Sequence, residues 1–377
     1  MINPAPDVRI LNFESAITRS IHNDDIPQWK GINYHTHVDN LHSMMNGYVA
    51  ETHGTTDGTS SPVIVSFGNN HALDYGRKAF EEETLPALSA STTELFHSVG
   101  AGQNWKEASQ PAIVDLKEKG VQIQVFAFGA GCAGVSEQWN AQKDRSGLVQ
   151  IPSLYNQEAV DRALKIAKEA IQTHSEQLLQ STTAGRKAFR IASVHMGPNW
   201  AYRGETEEQS SFRRTFAHAL IDECGFDAVY GHSSHHVRGM ELYKGKLIMY
   251  GTGDLINDYE GFENTGEEKY NRLGGIYVAD FNIETGNLKD LRIIPMFMNR
   301  LRLERYVPTS KIWKPNQHQL KEDPMLTQDM CRFMNKMSNL DAGGKDAALL
   351  MSHVDLDPMI PGGPILRSQV QHASGTE

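Results

Sequence analysis

Side chains that could hold a divalent cation follow four apolar runs of the sequence. The runs are RILNF, VIVSFG, RIASV and DAVYG. The polar residues that follow them are, in chain order, Glu14, Asn70, His71, His195, His232, His235 and His236. Their carboxylate oxygen, amide oxygen and imidazole nitrogen atoms suit a borderline cation such as Zn, Mn or Fe, and the set contains no thiolate.

Each of these residues, taken singly, has a more ordinary interpretation. Glu14 is typical of a cap or a surface residue, and Asn70 of a side chain that satisfies a turn. His195 is typical of a hydrogen-bonded loop histidine, and His236 of a solvated one. Because several such residues follow separate apolar runs, a shared site is favoured over these separate roles.

The elements that must position these residues are predicted to be strands alternating with helices. The predicted strands are DVRILNF, PVIVSFG, VQIQVFAFG, FRIASVH, FDAVYGH and KLIMYGTG. Asn156 is the expected N-cap of an amphipathic helix with Val160 and Leu164 on its apolar stripe, and Gly225 is the expected C-cap of a second helix. The alternation indicates an α/β fold, in which ligands gather at the carboxyl ends of the strands.

Charge and composition argue against several kinds of partner. The 377-residue chain has 36 Lys and Arg against 46 Asp and Glu, a formal net charge of −10, without a basic run. We therefore expect neither a nucleic-acid partner nor an anionic membrane surface as partner. No apolar run approaches the roughly 18 residues of a membrane helix, so no membrane span is predicted.

The first residues bear on the location of the protein, and the cysteines bear on disulfide bonds and zinc sites. The first residues, MINPAPDVRILNF, lack the basic, apolar and small-residue regions of a signal peptide, so a cytoplasmic location is expected. Cys132, Cys224 and Cys331 are odd in number and have no CxxC spacing, which supports neither a disulfide framework nor a cysteine zinc site.

The regular pattern weakens after about Tyr306. We expect one domain over residues 1–310 and a divergent, partly disordered extension over 311–377. Residues 49–62, rich in Gly, Thr and Ser, are expected to form an exposed loop.

Motifs along most of the chain, from about Asp7 to about Tyr306, resemble the CapA-type proteins of capsule and poly-gamma-glutamate synthesis. These motifs are NFESAITRS, KGINYHTH, GNNHALDYG, GAGQNWKEASQPAIV, VFAFG, VHMGPNW, FAHALID and GHSSHHVRGMELYKGKLIMYGTGDLINDYEG. CapA-type proteins are similar to the calcineurin-like metallophosphatases. The resemblance implies a four-layer αββα sandwich with a metal site at strand ends.

The resemblance also implies a role for each strand-end residue. Glu14 corresponds to an acidic residue that can bridge two metals, and Asn70 to the asparagine ligand of an Asn-His motif. His71 corresponds to the histidine that contacts the phosphate or leaving oxygen of the substrate, which makes it the predicted catalytic residue. His195 corresponds to a lone histidine ligand on the next strand.

The paired histidines of the GHxxH motif correspond to His232 and His235, one ligand for each of two cation positions. Family members usually begin with a strand ending in a GD-x-M-x-GR-like motif, whose Asp is a further ligand, and this chain has no such motif. Glu14, Asn70, His195 and His232 would therefore complete one site, whereas the second keeps only Glu14 and His235. The domain is expected to be N-terminally incomplete, and the alternative is a divergent member that works with one metal or none.

Several other residues are assigned supporting roles. Arg238 and Lys30 are candidates for binding an anionic substrate, with a solvated surface charge as the alternative. Asp74 and His236 are candidates for orienting the metal ligands, and Asp74 is equally a candidate N-cap of the helix YGRKAFEEE.

Asp254 and Asp258 match family positions without a stated job, so a turn or capping role is the default for both.

The predicted function is that of a divalent-metal-dependent hydrolase acting on a phosphoester or a related anionic bond. Metal ions can polarise a phosphoryl oxygen and lower the pKa of a bound water, and an imidazole can act as general acid. The alternative is a non-catalytic accessory factor that binds an anionic polymer during polyglutamate or capsule assembly. The expected partner is an anionic small molecule or polymer in either case.

Overall fold

The chain forms two compact units. A computed structural model describes residues 5–19, 26–41, 43–44, 61–182, 187–200, 205–257, 273–299, 302–305, 311–314, 317–322, 326–344, 348–354 and 365–369. The N-terminal unit comprises Ala5–Pro198 and Glu208–His232, and the C-terminal unit comprises Met1–Pro4, Asn199–Glu207 and Ser233–Glu377. This division does not coincide with the boundary expected at 310, and it separates His232 from His235.

The N-terminal unit alternates strands with helices. Its elements are β1 Arg9–Asn12, β2 Ala16–Ile17, β3 His35–Thr36, β4 Val63–Ser66, α1 Gly76–Ala79, α2 Leu85–Ser91, β5 Phe96–Val99, β6 Ala101–Gly102, α3 Trp105–Ala108, β7 Ala112–Leu116, β8 Val121–Ala130, β9 Gly147–Leu148, β10 Gln150–Ile151, α4 Gln157–Thr173, α5 Ser175–Thr182, β11 Lys187–His195, α6 Glu207–Cys224 and β12 Ala228–His232. A π-helical turn, Phe80–Thr84, joins α1 to α2. The predicted α/β class and the strands predicted in this unit are confirmed.

Parallel pairing brings the carboxyl ends of the strands of this unit together. β4 pairs in parallel with β1 and β5, and a second sheet has the order β10-β8-β11-β12, with β7 antiparallel to β8. Ile64 and Val99 of the first sheet share a core cluster with Val114 and Val125 of the second. Side chains of the two sheets of this unit therefore pack against each other.

Both predicted helix caps are present. The Asn156 side chain accepts a hydrogen bond of 2.8 Å from the backbone N–H of Ala159 and so caps α4. Val160 and Leu164 of that helix are buried, as its apolar stripe predicts. Gly225, directly after α6, has a φ of +69°, the left-handed conformation that glycine adopts without strain.

The C-terminal unit contains strands on both sides of its long helix in the sequence. Its elements are β13 Met240–Tyr243, β14 Lys246–Met249, β15 Leu273–Phe281, β16 Leu288–Asn299, β17 Arg302–Arg305, β18 Lys311–Lys314, β19 Gln317–Glu322, α7 Leu326–Asp341, β20 Met351–Val354 and β21 Ile365–Ser368. β14 confirms the sixth predicted strand. One antiparallel sheet has the order β15-β16-β21-β20, with β17 on β16.

The segment after residue 310 contributes to the core of the C-terminal unit. Met330 and Met334 of α7 are fully buried in a cluster with Met240, Leu247 and Ile293. This contribution was missed because the methionine-rich stripe of α7 is a weaker sequence signal than the β-branched runs before it. Much of the predicted loop at 49–62 and of the predicted loose tail lies outside the described residues.

Helix α7 holds the backbone that follows the GHSSHH motif. The Asp341 side chain accepts a 2.8 Å hydrogen bond from Gly239 N, and Ser338 Oγ accepts one of 2.9 Å from Met240 N. A Cβ atom on Gly239 would lie 2.4 Å from the carbonyl oxygen of Met337 and 2.5 Å from the Cα of Ser338. Only glycine allows this approach of strand to helix.

Replacing Gly239 by alanine is expected to lower the free energy of unfolding by about 2 kcal/mol, because the added methyl group overlaps the backbone of α7. Urea unfolding measures the change. Gly31→Ala is the matched control, since an added Cβ there meets no atom within 4 Å, and it should change stability by less than about 0.5 kcal/mol. Equal stability of the two variants would contradict the described packing.

Candidate functional site

Asn69 fastens the ends of β1 and β4 to each other. Its Nδ2 donates to the carbonyl of Phe13 at 2.8 Å and to Asn12 Oδ1 at 3.0 Å, while its Oδ1 accepts from His71 N at 3.0 Å. Asn12 Nδ2 in turn donates to Glu14 Oε2 at 2.9 Å. This chain of amides sets the position of Glu14 relative to the turn that carries Asn70 and His71.

Four of the predicted site residues converge at this edge of the N-terminal unit. His195 Nε2 lies 3.0 Å from Asn70 Oδ1 and 3.6 Å from Glu14 Oε1. The same Glu14 oxygen lies 4.0 Å from His71 Nε2. The His195 side chain is fully buried, while that of Glu14 is 21% exposed, so one side of the cluster reaches solvent.

His232 contacts the opposite nitrogen of His195. His195 and His232 occupy paired positions of the neighbouring parallel strands β11 and β12, which brings their rings side by side. The two Nδ1 atoms are 2.8 Å apart, and His232 Nε2 lies 2.9 Å from Ser193 Oγ. His232 therefore lies at Nδ1 of His195, whereas Glu14 and Asn70 lie at its Nε2. These contacts differ from the expected set, in which all four side chains converge on one cation.

The hydrogen bonds of this pair are consistent with one set of neutral tautomers. In the metal-free chain His195 Nε2 faces acceptor oxygens and carries a proton, so its Nδ1 accepts from Nδ1–H of His232. A cation bound at Nε2 would take the place of that proton. His232 Nε2 then accepts from the Ser193 hydroxyl. Burial lowers the pKa of His232 to about 3, which agrees with a neutral ring.

The converging donors fit a divalent cation in their chemistry. Glu14, Asn70 and His195 offer a carboxylate oxygen, an amide oxygen and an imidazole nitrogen. The His195 nitrogen lies 3.0 Å from the Asn70 oxygen and 3.6 Å from the Glu14 oxygen. Within the described ranges, no group of three or more His, Cys, Asp and Glu side chains is arranged to hold a metal ion. Because an amide is one of the three donors here, this cluster falls outside such a group.

Asp74 orients His71. Its Oδ2 lies 2.5 Å from His71 Nδ1 and also accepts a 2.7 Å hydrogen bond from the backbone N–H of Tyr34. The Tyr34 ring packs against the imidazole with 4.5 Å between centroids. The alternative N-cap role is wrong, because the N-cap of α1 is Tyr75 and no side chain caps that helix.

Lys30 is bound within the site. Its Nζ forms an ion pair with Asp74 and donates to the carbonyl of Asn70, and it lies 3.1 Å from His71 Nδ1. The side chain is only 8% exposed and its ammonium lies over the ring of Trp139. Burial lowers the pKa of Lys30, and the charge of Asp74 opposes that shift. These contacts give Lys30 a structural role and do not support the predicted binding of substrate.

Breaking the buried Lys30–Asp74 pair should be costly. Lys30→Met is expected to lower the free energy of unfolding by about 3 kcal/mol, because a buried carboxylate loses its cation. The double variant with Asp74→Asn should recover part of this loss, which urea unfolding measures as a coupling energy.

Lys168→Met is the control for this double-mutant cycle. Lys168 pairs with Glu223 at 2.7 Å, and both side chains are 49% exposed. Its loss should change stability much less than the loss of Lys30 does, because solvent screens an exposed ion pair. An equally small effect of Lys30→Met would refute the buried pair.

The remaining predicted residues lie in the C-terminal unit. His235 Nδ1 lies 2.8 Å from Asp254 Oδ2. His236 is fully buried, with Nδ1 at 2.9 Å from the carbonyl of Val237, so its own backbone holds its ring. Arg238 is also fully buried and pairs with Asp341 and Glu205. That environment is a structural ion-pair cluster and does not support the predicted role of Arg238 in binding substrate. Asp258 lies outside the described residues.

The buried ring of His236 should make stability depend on pH. Burial lowers its pKa to about 4, whereas the unfolded chain has the ordinary value of about 6.5. Between these values the unfolded state takes up a proton that the folded state does not, so the free energy of unfolding falls as the pH falls. The slope from this group is about 1.4 kcal/mol per pH unit.

His236→Gln should remove this part of the slope. Urea unfolding of the wild type and the variant between pH 7 and pH 4, in the presence of a chelator, measures it. An unchanged slope in the variant would show that His236 does not titrate in this way.

Several residues that build the site carried no prediction of their own. Asn12 and Asn69 align the strand ends, and Ser193 bonds to His232. Asn12 and Asn69 are polar residues at the ends of apolar runs, which is the signal that identified Glu14 and Asn70. Ser193 lies inside a strand, and its role follows only from the pairing of β11 with β12.

The fold and the site together define an α/β protein with a polar, histidine-containing cluster at the carboxyl ends of parallel strands. The family profile described as "Bacterial capsule synthesis protein PGA_cap" matches residues 1–259. The chain belongs to this family, as the resemblance to CapA-type proteins predicted.

Curated relatives agree with the family assignment. A "Probable polyglutamine synthesis accessory protein" of Mycobacterium tuberculosis is 31% identical over 315 residues, which cover 83% of this chain and 72% of that protein. The "Capsule biosynthesis protein CapA" of Bacillus anthracis is 23% identical over 68% of this chain and 57% of its own. A solved structure, "Putative 5'-Nucleotidase from Staphylococcus aureus", has 9% identity and a TM-score of 0.33, covers 87% of this chain and 58% of its own, and carries no argument at that score.

Across the part of the chain that the structure describes, none of the helices is both long enough and apolar enough to span a bilayer.

Proposed function

We propose that this protein is a divalent-metal-dependent hydrolase that acts on a phosphoester or a related anionic bond. The observation that carries the proposal is the convergence of Glu14, Asn70 and His195 beside His71, whose ring is oriented by Asp74. Such a set combines metal-binding donors with an oriented proton carrier.

In the proposed mechanism Glu14, Asn70 and His195 would hold the cation, which is Zn, Mn or Fe by the chemistry of its donors. His232 and His235 are proposed as metal ligands on the family resemblance alone. A bound cation would polarise the scissile group and lower the pKa of a water. The protein itself supplies the buried walls and the fixed orientation of the donors.

His71 is the proposed general acid. Because Asp74 engages Nδ1 at 2.5 Å, Nε2 is the nitrogen directed towards Glu14. When His71 is an imidazolium, with Nδ1–H held by Asp74, the proton on Nε2 can pass to the leaving oxygen of a substrate bound at that edge, which leaves the ring neutral. The buried Lys30 holds Asp74 in place and thus supports the orientation of His71.

The substrate class and the cellular context are also part of the proposal. The printed names of the relatives concern capsule biosynthesis and polyglutamine synthesis, which supports an anionic polymer or a related small anion as partner. The four-layer αββα arrangement belongs to the same proposal, supported by the core cluster that the two sheets of the N-terminal unit share.

The experiment is a measurement of metal content and affinity in the wild type and in His195→Ala. The wild type should carry about one Zn, Mn or Fe per chain and hydrolyse bis-p-nitrophenyl phosphate, whereas His195→Ala should lose both. His97→Ala, a histidine replacement on β5 that removes none of the proposed ligands, should retain both. A wild type without metal or hydrolysis would overturn the proposal.

A second candidate is a non-catalytic accessory factor that binds an anionic polymer, favoured by the word "accessory" in the name of the mycobacterial relative. Binding of poly-gamma-glutamate that is unaffected by a chelator, without hydrolysis of phosphoesters, would support this candidate. Binding that requires the metal and is lost in His195→Ala would favour the hydrolase.

A further inference from the structure

Asp254 is one of the two aspartates that match family positions without a stated role. Its side chain contacts a residue outside its own turn, because Oδ2 lies 2.8 Å from His235 Nδ1. The same oxygen accepts a hydrogen bond from Asn257 Nδ2 at 2.5 Å. The His235 side chain is 6% exposed and that of Asp254 is 19% exposed, so water competes little for this contact.

The backbone of Asp254 is held as closely as its side chain. A Cβ atom on Gly274, the second residue of β15, would lie 2.0 Å from the carbonyl oxygen of Asp254. The strand therefore runs against the Asp254 backbone at a distance that only glycine permits. Asn257 donates to the same carboxylate oxygen that contacts His235, so both the backbone and the side chain of Asp254 are held in place.

His235 is also fixed from directions other than Asp254. Its backbone N–H donates to the carbonyl of Asn199 at 3.0 Å. The Trp200 ring packs on the imidazole with 5.3 Å between centroids. A ring held at its backbone, at one face and at Nδ1 has a single orientation.

A carboxylate accepts hydrogen bonds and cannot donate one, so its contact with Nδ1 requires a proton on that nitrogen. The neutral imidazole then has its basic lone pair on Nε2. We propose that Asp254 is a positioning residue that fixes His235 in the Nδ1–H tautomer and so makes Nε2 its metal-binding nitrogen. The metal-binding part rests on the function proposed above, whereas the tautomer is a property of the metal-free chain.

The neighbouring histidine shows why the assignment concerns His235. His236 uses its Nδ1 on the carbonyl of Val237, and its ring lies between Trp200 and Phe333. That histidine is a fully buried core residue.

A carboxylate that orients the ring of a ligand histidine commonly raises metal affinity by about 10- to 100-fold.

The first test determines the tautomer of His235 in metal-free protein by nitrogen-15 NMR of labelled histidine, with His235→Gln to assign the signal. The wild type should show protonated Nδ1. Asp254→Ala should shift the population towards protonated Nε2, the form that is preferred without an acceptor. Asp280→Ala, which removes an acidic residue of the same unit that pairs with Arg292, should leave the signal unchanged.

The second test measures the dissociation constants of Mn²⁺ and Zn²⁺ by equilibrium dialysis. Asp254→Ala should weaken binding of at least one ion by about 10- to 100-fold. Asp254→Asn keeps an acceptor oxygen and should weaken it less, which a merely destabilising change would not predict. Thermal unfolding shows whether each variant is folded. If Asp254→Ala is not folded, the affinity of Asp254→Asn is compared with that of the wild type instead.

The outcomes separate this inference from the proposed function. An unchanged tautomer in Asp254→Ala overturns the inference, whatever the metal affinity. A shifted tautomer with unchanged affinity in a metal-binding protein overturns the metal-binding part. If the tautomer shifts in Asp254→Ala while the wild type binds no metal, the positioning role is supported and the proposed hydrolase is overturned.

Discussion

The parallel pairing of strands in the N-terminal unit is the constraint on which its polar site depends. Parallel neighbours end at the same edge of a sheet, so residues that follow β1 and β4 meet although more than fifty positions separate them in the chain. The same geometry sets His195 beside His232 at the ends of β11 and β12. Strand register is therefore sufficient to bring side chains from distant segments into one site.

Burial explains why these polar residues are linked to one another. A buried polar group without a partner costs free energy, so a cluster of buried polar side chains is stable only as a hydrogen-bonded network. The amide of Asn69 bonds to two strand ends and one turn, and Asp74 bonds to His71, Lys30 and the backbone of Tyr34. The network that orients the proposed catalytic histidine is the same network that keeps its carboxylate and ammonium neighbours paired.

The two predicted substrate cations illustrate how burial changes the role of a charge. Lys30 and Arg238 were both assigned to an anionic ligand on their sign and their position in a motif. Each is instead buried against carboxylates of its own unit, Asp74 for Lys30, and Asp341 with Glu205 for Arg238. A sequence reports the sign of a charge, but its partner is chosen by packing. One partner of Arg238, Asp341, belongs to α7 and follows it by more than one hundred residues.

The sequence by itself determined the strands, the main helix caps, the family and the residue types at the strand ends. These features follow from local periodicity, capping chemistry and motif content, which need no knowledge of distant contacts. Tertiary structure alone decided that Asp74 orients His71 rather than capping a helix, that His232 faces Nδ1 of His195, that Asp254 contacts His235, and that α7 belongs to the C-terminal core. The physical reason is that side-chain direction and long-range register select partners, and neither is encoded in the spacing of residues along the chain.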